Sequence, residues 1–128
     1  MGSEWKGLST EVVTLSLHSA SLGDEDAAAI ADILKVNGAL TKLDLCTNEI
    51  GNTGAASIAE ALKVNGTLTA LYLSSSKIGA AGAAAIAEAL KVNTNLQLLL
   101  LENNDLSEDS KSELWDAVQE RSGFKLLA

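Results

Sequence analysis

The chain has 128 residues, of which 47% are hydrophobic and 20% charged, the composition of one ordinary globular domain and not of a disordered tract. A net charge of −8, with nine Lys and Arg scattered along the length, argues against nucleic acid, whose phosphates are bound largely by such residues; it first keeps the chain soluble and would steer a basic protein partner toward it. Apolar runs such as Leu98 to Leu101 fall far short of the roughly 20 residues of a bilayer span, Met1-Gly2-Ser3-Glu4-Trp5 lacks a signal peptide's apolar stretch, and the single cysteine, Cys46, has no internal disulfide partner, so a cytoplasmic protein off the membrane is expected.

In chain order, residues 1–11 match only the last part of the unit that follows, with Trp5 where later units carry Ile33 or Ile58, and so read as an abbreviated N-terminal cap. From Val12 the chain repeats itself every 28 residues, as VVTLSLHSASLG, then LTKLDLCTNEIG from Leu40, LTALYLSSSKIG from Leu68 and LQLLLLENNDLS from Leu96. The units from Leu40 and from Leu68 agree at 17 of 28 positions, so the period governs the whole fold.

Each unit opens with apolar residues at alternate positions, such as Leu43 and Leu45 or Leu71 and Leu73, the period of a short strand with one buried face. It continues with a stretch such as Gly54 to Val64, in which Ala55, Ile58, Ala59 and Leu62 recur at helical spacing while Glu60 and Lys63 point away. Alanine at many inward positions keeps each helix slim enough to lie close to the strands. Asn52 and Thr53 are expected to cap the helix that follows them, Asp24-Glu25-Asp26 to favour a helix N-terminus, and Asn37, Asn65 and Asn93 to end helices in the left-handed conformation that Asn tolerates. Such units bury their apolar faces only by stacking, which predicts a parallel sheet on one side and helices on the other. The most charged helix, from about Glu108 to Arg121, with Leu114 and Trp115 as anchors, precedes a closing fifth strand in residues 122–128, with Phe124 at the next period and Leu127 three further on.

The pattern Leu40, Leu43, Leu45, Asn48, Ile50, Gly51, followed by Gly-Ala and Ala-Ile-Ala-Glu-Ala-Leu-Lys-x-Asn, resembles the ribonuclease-inhibitor class of leucine-rich repeats, also found in NOD-like receptors. The resemblance covers residues 12–128 and implies one α/β solenoid domain over 1–128, a horseshoe fragment with short parallel strands on a concave face, helices on a convex face and repeats starting at 12, 40, 68 and 96. It also implies that Asn48 and Asn104 bond backbone groups in a ladder inside the turns; Ala20 and Ser76 stand at the same position and are expected to leave it softer.

Residues between the buried leucines should form columns on the concave face: Thr14, Lys42, Ala70 and Leu98; Ser16, Asp44, Tyr72 and Leu100; His18, Cys46, Ser74 and Glu102. Tyr72 with Leu98 and Leu100 makes an apolar anchor of the sort that dominates interfaces. The protein-binding face is therefore assigned to Ser16, His18, Lys42, Asp44, Tyr72, Leu98, Leu100 and Glu102, to meet a protein partner. His18 and Cys46, on adjacent strands, invite comparison with a Cys-His dyad, or with a metal site completed by Glu102; an open sheet offers no enclosing pocket and Ser74 spreads those ligands, so neither catalysis nor a metal or cofactor is expected. The alternative to a binding module is a designed or truncated repeat array without a natural ligand, suggested by the near-identical middle helices and by Met1-Gly2-Ser3, which reads like a cloning remnant; it would be a monomer or self-associate through an open repeat edge.

Overall fold

A computed structural model describes residues 14–128. Strand and helix alternate without exception, as β1 (Thr14–Ser16), α1 (Asp24–Val36), β2 (Lys42–Asp44), α2 (Gly51–Leu62), β3 (Ala70–Tyr72), α3 (Ala80–Val92), β4 (Leu98–Leu100), α4 (Glu108–Val118) and β5 (Lys125–Leu127). The strands form one parallel sheet in sequential order, and from β1 to β4 every pairing joins residues 28 apart, so the sequence period is also the spatial register. The abbreviated cap over 1–11, Trp5 and the start of the first unit at Val12 lie outside the described residues.

Leu43, Leu71 and Leu99, the central residues of three strands, are fully buried and meet Ile30, Ile58 and Ile86 of the helices in one continuous core. Fully burying such a side chain is worth about 1.5–3 kcal/mol. The period gives an exposed large apolar residue in three units as well, since Val36 and Val92 end α1 and α3, and Val64 follows α2, on the solvent side. Helix packs on neighbouring helix, close enough that a Cβ at Gly54 would stand 2.7 Å from Ile50 Cγ2 and 2.9 Å from Ala27 Cβ. The Gly-Ala of the repeat is therefore a packing requirement.

Three sequence-based expectations change. Asn52 does not cap its own helix: its Oδ1 accepts from the amides of Gly79 and Gly82 at 2.8 and 2.9 Å, so it caps α3 of the next unit. The helix-ending asparagines are not left-handed, because Asn37 and Asn93 have φ of −81° and −76° with extended ψ. The closing unit is one residue short: Leu99 pairs with Leu126, 27 residues on, so Leu126 takes the buried place, Leu127 faces out, and Phe124 falls one position off the period. Gly123, at φ +81°, turns the chain early and removes that residue. Leu114 anchors α4 as expected, whereas Trp115 is 48% exposed.

Candidate protein-binding face

Two asparagine ladders brace the sheet at its two ends. At the end following the strands, Asn48 is buried; its Oδ1 accepts from the amides of Ala20 and Leu22 at 3.0 and 2.9 Å, and its Nδ2 donates to the carbonyls of Leu17 and Leu45 at 2.9 and 3.0 Å. Asn104 repeats this with the amides of Ser76 and Ile78 and the carbonyls of Leu73 and Leu101. At the intervening rung the Ser76 hydroxyl donates toward the carbonyls of Leu45 and Ser74 at 3.1 and 3.2 Å. Ser76 has no amide oxygen to accept with, and the turn is rebuilt around it. The second left-handed residue moves from the position of Ser21 and Lys77 to Gly51, at φ +68°, and the Gly51 amide donates to the Ser76 carbonyl at 3.0 Å.

The other ladder runs where the helices end. Asn65 Nδ2 donates to the Leu34 carbonyl at 2.8 Å and Asn93 Nδ2 to the carbonyls of Leu62 and Asn65 at 2.8 and 3.1 Å, while their Oδ1 atoms accept from the amides of Leu68 and Leu96. Arg121 stands 28 residues after Asn93 and ends this ladder, its guanidinium donating to the carbonyls of Leu90, Asn93 and Leu96 and lying 4.7 Å over the Phe124 ring. Residue-type reasoning passed over Arg121; its position in the period was the available signal. It closes the inner wall of a groove of about 560 Å³ between the C-terminal ends of α3 and α4.

Between the ladders lies the strand face. Side by side across it come Thr14, Lys42, Ala70, Leu98 and Lys125, then Ser16, Asp44, Tyr72, Leu100 and Leu127. Tyr72, Leu98 and Leu100 are half-buried, Leu127 is 47% exposed, and Ala70 is buried. The apolar row foreseen at Tyr72 and Leu100 thus extends one strand further, to Leu127. Ser16, Lys42, His18 and Glu102 are exposed around it, and Lys125 adds a cation at the margin. Outside the row, the Glu49 carboxylate meets Lys77 Nζ at 2.6 Å, and that hydrogen bond and charge hold it below the usual carboxylate range.

The third column continues the ladder of backbone bonds beyond the strands, from Ser19 to Cys46, Thr47 to Ser74 and Ser75 to Glu102. It brings His18 and Cys46 together as the alternation implied. Their third neighbour is Asp44, not Glu102: His18 Nδ1 lies 4.0 Å from Asp44 Oδ2, Asp44 Oδ1 accepts the Cys46 amide at 2.9 Å, and donor atoms of all three side chains lie within 4.8 Å of one another. Glu102 is two strands away from Cys46, about 9.6 Å by strand spacing. Burial first, then the Asp44 carboxylate, pushes the Cys46 thiol up, against smaller contrary effects of Ser74. A cysteine nucleophile needs the opposite shift.

Among the described residues, no helix is long and apolar enough to cross a membrane. A family model described as Leucine Rich repeat matches residues 39–59 and 64–87. No curated protein sequence matches at a significant level. Among solved structures, one titled leiomodin-1 actin-binding site 2 superposes with a TM-score of 0.87 at 24% identity, covering 98% of this chain and 75% of that one. The tropomodulin C-terminal domain from Caenorhabditis elegans superposes with a TM-score of 0.83 at 12% identity, covering 98% of this chain and 78% of that one. At these identities the likeness is one of fold.

Proposed function

For this protein of leucine-rich repeats, we propose that the concave strand face receives a protein partner and that Tyr72, Leu98 and Leu100, continued by Leu127, anchor it. The observation that carries this reading is the run of large apolar side chains left partly open on three neighbouring strands, with charged and polar residues around them. An apolar anchor inside a polar margin is the usual anatomy of a protein interface. Asp44 and Lys42 lie on the flank toward β2, and the net charge of −8 favours a partner with a basic contact surface. The 28-residue period and the Asn48 and Asn104 turns support the ribonuclease-inhibitor-like type, and a single unpaired cysteine supports a cytoplasmic setting.

Because a structural relative is titled as an actin-binding site, monomeric actin is the first protein to titrate. Binding that weakens at least roughly tenfold in Tyr72→Ala combined with Leu100→Ser, with helical circular dichroism unchanged, supports the reading. Actin binding that survives this pair of substitutions refutes use of the concave face, and absence of binding removes actin. A second reading, an array without a natural ligand, draws on the 17 of 28 positions shared by the middle units. It predicts that the same substitutions affect only self-association. Light scattering reads that association against the 13.2 kDa of a monomer, and the actin titration separates the two readings.

A further inference from the structure

We propose that His18, Asp44 and Cys46 form a binding site for a zinc-like divalent cation at the N-terminal end of the concave face, held by His18 Nδ1, an Asp44 oxygen and Cys46 Sγ, with the fourth position open. The three donors come from two adjacent strand ends, and in the described residues theirs is the one cluster of His, Cys and carboxylate atoms close enough to share an ion. An imidazole, a carboxylate and a thiolate are the three donor types zinc takes, at about 2.0–2.3 Å. In a tetrahedral site those bond lengths put donors about 3.4–3.6 Å apart. His18 and Asp44 already stand at 4.0 Å, and no separation in the cluster exceeds 4.8 Å. Closing the site therefore needs shifts on the order of 1 Å, mostly by His18, whose side chain is 56% exposed and free to turn.

The site is also pre-oriented. Asp44 is fixed by its bond from the Cys46 amide, leaving Oδ2 directed at His18. Ser74 Oγ, on the strand beside Cys46, is buried and has no hydrogen-bond partner. What opposes the thiolate is burial and the neighbouring Asp44 charge. A dication offsets the Asp44 charge: the Cys46 S–H bond breaks, its proton leaves to solvent, and the sulfur lone pair binds the metal. The same geometry speaks against a catalytic triad, in which the imidazole stands between thiol and carboxylate; here Asp44 contacts both partners.

The chain has one histidine and one cysteine, so spectroscopic assignment is unambiguous. The test is titration of the full chain with zinc chloride by calorimetry, repeated with cobalt(II) followed by absorption, in buffer freed of other metals and with a phosphine reductant. Expected are one ion per chain, a thiolate-to-cobalt charge-transfer band in the near ultraviolet, and affinity lower in each of His18→Ala, Asp44→Ala and Cys46→Ser by at least the roughly tenfold that loss of a mere outer-shell partner costs. Glu102→Ala, on the same face but away from the cluster, should bind as the parent does. No cobalt charge-transfer band, or zinc affinity in Cys46→Ser within twofold of the parent, overturns the assignment. Circular dichroism of each variant distinguishes loss of a ligand from loss of the fold, and His18→Ala, at an exposed position, keeps the test open should Cys46→Ser unfold.

Discussion

Replacing Asn48 by alanine tests whether the turn ladder holds the repeats in register. Asn48 satisfies four backbone groups at 2.9–3.0 Å, of which the Leu22 amide and the Leu45 carbonyl lie in buried bonds, whereas those at Ala20 and Leu17 are partly open to water. A buried polar group stripped of its partner costs about 1–3 kcal/mol. The Leu45 carbonyl keeps the Ser76 hydroxyl as a donor, so counting only the Leu22 amide, Asn48→Ala should destabilise the fold by about 1–3 kcal/mol, a sizeable part of the 5–15 kcal/mol typical of a domain. Asn48→Ser should cost less. The hydroxyl of Ser76 bonds the carbonyls of Leu45 and Ser74, so serine at 48 would serve those of Leu17 and Cys46 in the same register, restoring part of the donor side and leaving the amides of Ala20 and Leu22 unserved. Urea unfolding followed by circular dichroism reads both variants, provided the slope m stays constant. A loss below about 0.5 kcal/mol for Asn48→Ala, the range of an ordinary surface substitution, would refute the claim that the ladder is required.

Arg121→Ala should destabilise the C-terminal unit by about 1.5–3 kcal/mol, since it strips the carbonyls of Leu90, Asn93 and Leu96 of a charged donor, and Arg121→Lys should recover only part of this because the flat fork is lost; amide exchange at Leu101, which donates to Leu127, should quicken first. Gly54→Ala adds a Cβ that meets Ile50 at 2.7 Å and Ala27 at 2.9 Å, so a loss of about 1–3 kcal/mol in urea unfolding is expected, against the gain alanine brings to an open helix site. Iodoacetamide should alkylate Cys46 with a pH midpoint above that of free cysteine, because burial and Asp44 hold the thiol up. By the same shift, the folded state's preference for the protonated thiol stabilises it below the ordinary thiol range, and that contribution is lost as pH rises through the folded value, a trend that Cys46→Ser should abolish.

The period was legible because it is written in residue types: alternate leucines and helical alanines recur every 28 positions, and the strand register follows them residue for residue from β1 to β4. The concave columns followed from the pleat alone, which is why Tyr72, Leu98 and Leu100 stand together as expected. What failed to show was conformation at single residues. Asn tolerates left-handed and extended backbone alike, so nothing in Asn93 announces that its amide reaches into a ladder. Nor does a count of 28 reveal that a glycine at φ +81° shortens the last unit by one and turns Leu126 inward in place of Leu127.

The His18 cluster exposes a further limit of reading by columns. Alternation aligns each residue with its counterpart 28 positions away, and so paired His18 with Cys46 and continued to Glu102. Side chains on a parallel sheet also meet diagonally, and Asp44, two residues before Cys46 on its own strand, reaches both members of the pair. A column is thus a statement about Cα positions, while chemistry depends on where side-chain ends converge. Asp44 is long enough to bridge two columns, whereas Glu102 would have to span two strands. The same reach explains Arg121, whose fork serves three carbonyls from a position where the other units carry asparagine. In a solenoid the period assigns each residue its address, and the length of the side chain at that address decides which neighbouring units it ties together.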